Sequence, residues 1–294
     1  HTAFSHLGDE IEGLEDHEIR TTKIISETEI SDILSDEGID SNEINKIILG
    51  KHKLGPLVSG DLDGDRLDYL VRDAHYTGVS AGVDMGRLIA TMTISDSNLV
   101  IKENGLPAVE ALLITRSTMY PTVYFHPFTR GAELMLARAT NHAIESKKFS
   151  IDDFITFTDH KLLSELENAG GLSQEIIRNF ESRNIVKRAV SITKEQAESL
   201  GLDKSLRNEF ETSIASKLGI SSSEVYVDIP PFSVLPGLKA KILKNNGDID
   251  LARNLSRLVS GLYEAQFDHW RCRVYGPSNL REELTKVSGA VFGI

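Results

Sequence analysis

Residues 61–78, DLDGDRLDYLVRDAHYTG, place five aspartates, two arginines, two tyrosines and a histidine in one short run. A segment this polar cannot be buried whole, yet Leu62, Leu67, Leu70 and Val71 give it one apolar face. The pattern predicts an amphipathic helix laid along the edge of a core, with Asp61 or Asp63 at its start and Gly78 just past its end. At about 100° per residue, Asp65, Tyr69 and Asp73 fall within an arc of about 80°, with Arg66 and Arg72 one step to either side. Such a stripe can offer a metal ligand, phosphate clamps and a hydroxyl acceptor along one wall of a cleft. It fits equally an exposed helix laced with i,i+4 ion pairs such as Asp68–Arg72. Spacing alone leaves both readings open.

The rest of the chain sets that helix in a larger scaffold. With 294 residues and 40% hydrophobic content, there is enough for two domains, or for one helical domain with an appendage. Residues 1–145 read as mostly helical: SNEINKIIL starts at Ser41 as N-cap, NGLPAVEALLITRSTMY carries Pro107 in its first turn, and GAELMLARATNHAIESKK follows. RLIATMTI, the turn SDSN and LVIKE interrupt them as a β-hairpin. From about residue 146 the pattern changes to short helices capped at Ser150 and Ser173, then to strands in IVKRAVSI, EVYVDIP and LKAKILKNNGDI. Asn246-Gly247 supplies a turn, and NLSRLVSGLYEAQFDHWRCRVYG returns to helix before a last short strand. The expected fold is therefore mainly α, with a helical domain over 1–145 and a smaller α+β domain over 146–294.

Charge and cysteine content narrow the function classes. A net charge of −12 argues against a general nucleic-acid or anionic-membrane binder, while leaving room for a local basic pocket. The one cysteine, Cys272, allows no intrachain disulfide and makes the cytoplasm the default location. No apolar run reaches the length of about eighteen residues that a membrane span needs. Two further clusters hold reactive side chains: His1, His6, Asp9 and His17 at the start of the chain, and Arg116, Tyr120, Tyr124, His126 and Arg130 within TRSTMYPTVYFHPFTR. The histidines are candidate ligands or general acids, and the aromatic cluster reads equally as helix-end packing.

Five blocks resemble one known family. HTAFSH is similar to the tail of HDIGHGPFSH, a hallmark of the HD-domain phosphohydrolases. LDGDRLDYLVRDAHYTGV resembles the LDADRMDYLLRDSYFTGV block of their deoxynucleoside triphosphate triphosphohydrolase branch, and ITRSTMYPTVYFH resembles its ARYFMYRQVYFHK segment. VYVDIPP and EAQFDHWRCRVYGP are similar to that branch's C-terminal portion, so the likeness runs through most of the chain in order. The fold implied is an HD-type helical core with a smaller α+β region.

The resemblance also implies roles. The family holds a divalent metal (Mn, Mg, Fe, Ni or Zn) with an upstream His, the His-Asp doublet and a distant Asp, and Asp65 matches the last of these. The doublet and the upstream His are expected before His1, so the sequence is expected to start just after the doublet. His1 matches the catalytic histidine, with Asp9 and His17 as its partners. His6, Arg66 and Arg116 match phosphate contacts, Tyr69 and Asp73 match groups on the sugar 3′-hydroxyl, and Tyr124 matches an aromatic that leaves little room for a 2′-hydroxyl. His126 matches a neighbouring substrate-side position, and Phe125 departs from a polar residue near the base. The implied reaction is hydrolysis of deoxynucleoside triphosphates to deoxynucleoside and inorganic triphosphate, by a homodimer or homotetramer. An HD-type nucleotidase or phosphodiesterase, and a non-catalytic nucleotide-binding regulator, stand as alternatives.

Overall fold

The computed structural model describes residues 3–4, 6–95, 98–230 and 239–293. The chain is mainly α with a small β part, as expected. The strands are β1 (Met92–Ser95), β2 (Asn98–Lys102), β3 (Lys187–Ile192), β4 (Tyr226–Asp228), β5 (Lys241–Leu243), β6 (Ile249–Leu251) and β7 (Cys272–Gly276). None of the described helices is long and apolar enough to cross a membrane.

Two compact units interleave along the sequence. One comprises His1–Leu14, Tyr124–Phe232 and Asp268–Ile294, the other Glu15–Val123 and Ser233–Phe267. The boundary expected at residue 146 thus falls inside the first unit. The physical reason is strand pairing across a long separation: β2 pairs in parallel with β5, Ile101 opposite Ile242, which draws residues 239–267 back to the early hairpin.

In the first unit the helix Pro127–Glu145 is central. Its Leu134, Met135, Ala139 and Ala143 meet Leu162, Leu166 and Ile177 of the helices Asp159–Ala169 and Gly171–Glu181, together with Leu7 and Ile11 from the start of the chain. Ser150 caps the short helix after it in a capping box. Ser173, expected as a second cap, instead lies inside a helix, where its hydroxyl donates to the Ala139 carbonyl and meets His142 Nδ1 at 2.8 Å. Burial between two helices makes that backbone bond the available partner.

The antiparallel sheet of this unit has the order β3–β7–β4. Val227, Cys272 and Val274 join the apolar cluster that includes Ile214, Leu284 and Phe292 of the helices Arg207–Leu218 and Arg281–Phe292. Tyr226, Asp228, Arg273 and Tyr275 alternate onto the opposite face. There Asp228, fully buried, receives Arg130 Nε at 3.2 Å and Nη2 at 2.7 Å. Arg130 also bonds Glu133 at 2.6 Å and Glu10 at 3.3 Å, and Glu10 receives Arg207 Nη1 at 2.8 Å and Lys204 at 3.3 Å. Burial pushes the Glu10 carboxyl up, but Arg207, Lys204 and Arg130 outweigh it and hold the group down at about 2.

In the second unit β1 and β2 form the expected hairpin, although Arg87–Thr91, read as strand, lies in the helix Met85–Thr91 and the strand starts at Met92. Its sheet has the order β1–β2–β5–β6, and Asn246-Gly247 joins β5 to β6. The helix Ser41–Ile48 is capped by Asp40, one residue before the expected Ser41, because the Asp40 carboxylate accepts from Asn42 N at 2.9 Å. Pro107 sits in the first turn of Leu106–Met119. Gly105, just before that helix, leaves no space for a Cβ, which would run into the Thr91 side chain and Ile101 Cγ2.

Two consequences are measurable. Gly105→Ala overpacks this corner and costs about 1–3 kcal/mol in thermal unfolding, whereas Gly82→Ala, with open space around it, changes stability by less than about 0.5 kcal/mol. The depressed pKa of Glu10 means that its stabilising effect is complete above about 4.5 and is lost as pH falls toward about 2. Glu10→Gln therefore flattens the acid limb of stability against pH over that window, read by circular dichroism.

Candidate functional site

The Asp-rich segment folds as the helix Gly64–Thr77, started by Asp63 and stopped by Gly78 in the left-handed conformation. Asp63 Oδ1 accepts from Arg66 N at 2.8 Å. The Arg66 side chain turns back so that Nη1 donates to the Gly60 carbonyl and pairs with the Asp63 carboxylate. The ion-paired reading of the stripe is realised on its outer face. Asp68 and Arg72 pair at 3.2 Å on the exposed side, while Leu67, Leu70 and Ala74 are buried and Tyr69 and Asp73 are half-buried between. Asp65, at the first turn, is exposed.

Arg116, on Leu106–Met119, is 3% exposed. Its Nη2 donates to Tyr120 Oη at 3.0 Å, and its guanidinium lies 5.3 Å from the Tyr120 ring centre. Its Nε finds no hydrogen-bond partner, and it forms no ion pair, among the described residues. Its charge acts on the buried Asp63, and the unpartnered Nε is costly, because a donor removed from water goes uncompensated. Tyr69 lies within its electrostatic reach: burial pushes the phenol up to about 12, against the pull of Arg116 and Arg66 and with the push of Tyr120 and Asp63. Tyr69 therefore keeps its proton, and its donor capacity, throughout the neutral range. Arg66, Tyr69, Arg116 and Tyr120 thus form one electrostatically coupled cluster.

His17 begins the helix His17–Glu27, with Nδ1 3.8 Å from Asp16 and its ring about half exposed. Glu18 beside it was not singled out in the sequence. Its carboxyl is raised by partial burial and by Asp16, and lowered by His17 and Arg66, which puts the start of this helix within reach of the Arg66 charge. The signal for it is an acid in the first helical turn directly after a histidine.

The remaining expected residues divide differently. His1 lies outside the described residues. His6 and Asp9 belong to the single 3₁₀ turn His6–Glu10, of which the structure describes the backbone. Tyr124 closes a π-helical turn, Tyr120–Tyr124, and is half-buried. His126 is a helix cap: its Nδ1 accepts from Phe128 N at 3.3 Å, because the side chain folds over the first turn of Pro127–Glu145. For the metal implied by the resemblance, the described residues do not supply a full donor set. Among the described residues no three His, Cys, Asp or Glu side chains converge on a position for an ion, and Asp65 is the one expected ligand present.

Comparison with known proteins agrees with this architecture. The uncharacterised protein MJ1154 of Methanocaldococcus jannaschii is 28% identical over 264 residues, covering 84% of this chain and 56% of that protein, so the chain spans about half the length of that relative. A protein named deoxynucleoside triphosphate triphosphohydrolase SAMHD1 homolog, from Dictyostelium discoideum, is 28% identical over 53% of this chain and 35% of its own length. The crystal structure of a hypothetical protein from Aquifex aeolicus superimposes with a TM-score of 0.72 at 27% identity, covering 98% of this chain and 76% of that one. Residues 83–294 match the family described as the HD associated region. The chain belongs to the HD associated region family.

Proposed function

We propose that this protein hydrolyses deoxynucleoside triphosphates to a deoxynucleoside and inorganic triphosphate, with residues 1–145 carrying the site. The observation that carries the reading is Arg116, a buried guanidinium coupled to Tyr69 and Arg66, with an Nε that lacks a partner among the described residues. A polyphosphate oxygen is the acceptor such a donor calls for. The name of the Dictyostelium relative and the motif resemblance support the same substrate class.

In this reading a water oxygen bonds to the α-phosphorus, the bond from that phosphorus to the sugar 5′ oxygen breaks, and the 5′ oxygen takes up a proton. Arg116 and the donors of Arg66 beyond Nη1 neutralise the phosphate chain, a task the motif resemblance also gives to His6. Tyr69, protonated at neutral pH, and Asp73 grip the sugar 3′-hydroxyl as donor and acceptor, and Tyr124 packs on the sugar. The motif resemblance gives the proton transfer to His1, with Asp9 and His17 as its partners. His126 keeps its capping role. Asp65 is assigned to a divalent ion, but the described residues do not complete its shell and no step is assigned to it.

Two experiments test the proposal. The protein is given each of the four deoxynucleoside triphosphates with Mn²⁺ or Mg²⁺, and the products are separated by anion exchange. Deoxynucleoside together with intact triphosphate is the expected result. Monophosphate or diphosphate products overturn the site of attack, and binding without turnover replaces the enzyme with a nucleotide-binding regulator. Arg116→Met removes a charge-assisted bond of about 1.5–3 kcal/mol, so KM rises about tenfold or more in steady-state kinetics while the fold is retained. An unchanged KM removes Arg116 from the phosphate site.

A further inference from the structure

The turn His6–Glu10 cannot hold its own shape. Its backbone contributes Leu7 N to Phe4 O at 2.9 Å and Ile11 N to Gly8 O at 3.3 Å, and a single 3₁₀ turn has little intrinsic stability. What holds it comes from distant parts of the first unit. Phe4 N donates to Asp159 Oδ1 at 2.8 Å, and Asn141 Nδ2 donates to the Glu10 carbonyl at 3.0 Å. Leu7 and Ile11 enter the core. The Glu10 carboxylate, 9% exposed, is shared by Arg130, Arg207 and Lys204.

The two arginines are not equivalent. Arg130 is pinned independently of Glu10, by two bonds to the fully buried Asp228 and one to Glu133. Arg207 has buried Nε and Nη2 groups without partners among the described residues, so its ion pair with Glu10 is its polar anchor there. Arg130 therefore supplies a fixed reference point tied to β4, and Arg207 closes on the opposite oxygen of the same carboxylate. Glu10 directly follows Asp9 and stands four residues after His6.

We propose that Glu10, clamped between Arg130 and Arg207, is a positioning residue that sets the placement of the segment bearing His6 and Asp9. The proposal rests on the catalytic role assigned to that segment above. It makes the later part of the chain, through Arg207 and Asp228, a determinant of catalytic geometry. An error of placement of about 1 Å at reacting groups can cost about a hundredfold in rate, so a fixed clamp matters more here than its contribution to stability.

The test uses Glu10→Gln, which is isosteric and uncharged, together with Arg207→Ala and Arg207→Lys. Hydrogen exchange read by mass spectrometry follows peptides covering residues 3–14 and, separately, β4 and β7. Glu10→Gln and Arg207→Ala should raise exchange in 3–14 by about tenfold or more with β4 and β7 still protected. In kinetics with a deoxynucleoside triphosphate, kcat should fall about tenfold to a hundredfold with KM within about twofold, and Arg207→Lys should recover part of the loss. Unchanged exchange in 3–14, an equal rise in the sheet, or selective loosening with unchanged kcat each overturn the positioning role. If the unaltered protein turns over no deoxynucleotide, the proposed reaction fails, and exchange alone decides whether the clamp holds the segment.

Discussion

The ion pair between Arg130 and Asp228 is the contact around which the first unit is organised. Asp228 is fully buried on β4, and a carboxylate there is tolerable only with a geometrically matched cation. Arg130 meets both oxygens as a fork, a geometry that a lysine cannot reproduce. The pair fixes the sheet against the first turn of Pro127–Glu145, and the remaining N–H groups of Arg130 then collect Glu133 and Glu10. A second cross-link lies two turns along the same helix. Arg138 stacks 3.8 Å from the Tyr226 ring centre, bonds Glu211 and caps the Ser223 and Val225 carbonyls. Glu211 in turn accepts from Val227 N at 2.9 Å. A helix that also supplies the apolar core is therefore registered on the sheet by two arginines, which apolar packing alone would let slide.

That arrangement explains why the sheet can be buried on both faces with one of them polar. Alternation along β4 and β7 sends Val227, Cys272 and Val274 into an apolar layer and Asp228, Arg273 and Tyr275 toward the arginines. The thiol of Cys272, pushed up to about 12 chiefly by burial and then by Asp228, behaves as a small hydrophobe. The same sheet that closes one core thus anchors the charged cluster that reaches Glu10.

Much of the local structure was legible because it is encoded locally. Asp63 and Gly78 bound their helix through side-chain capping and a left-handed stop, Pro107 marks a first turn, and Asn246-Gly247 marks a turn between strands. What stayed hidden depends on partners far away in sequence. The parallel pairing of β2 with β5 carries no signature in either strand, and it joins residues 239–267 to the unit of the early hairpin. Ser173 looks like a cap in sequence and is a buried hydroxyl bridging two helices, a role set by His142 and Ala139. Within the candidate site, periodicity grouped Arg66 with Tyr69, but the coupling of Tyr69 to Arg116 needed the packing of two helices. His126 shows the reverse case, where a residue matched to a substrate-side position has a backbone bond to make.

The charge of the chain bears on how such a site can work. Residues 15–49 hold ten acidic and three basic side chains, and the whole chain carries −12, so a polyanion meets a repulsive surface. Exposed charges are screened over a distance of about 8 Å at physiological ionic strength, and their effect falls mainly on the rate of approach. Arg116, at 3% exposure, is shielded from that averaging, and its interaction with a bound anion is strengthened by the low polarity around it. The same burial leaves its Nε without a partner among the described residues, and a donor already out of water is one that a bound anion would not have to desolvate. Under the proposed reaction, selectivity for a phosphate chain rests on the buried Arg116 with the half-buried Arg66 and Tyr69, while the surface remains acidic.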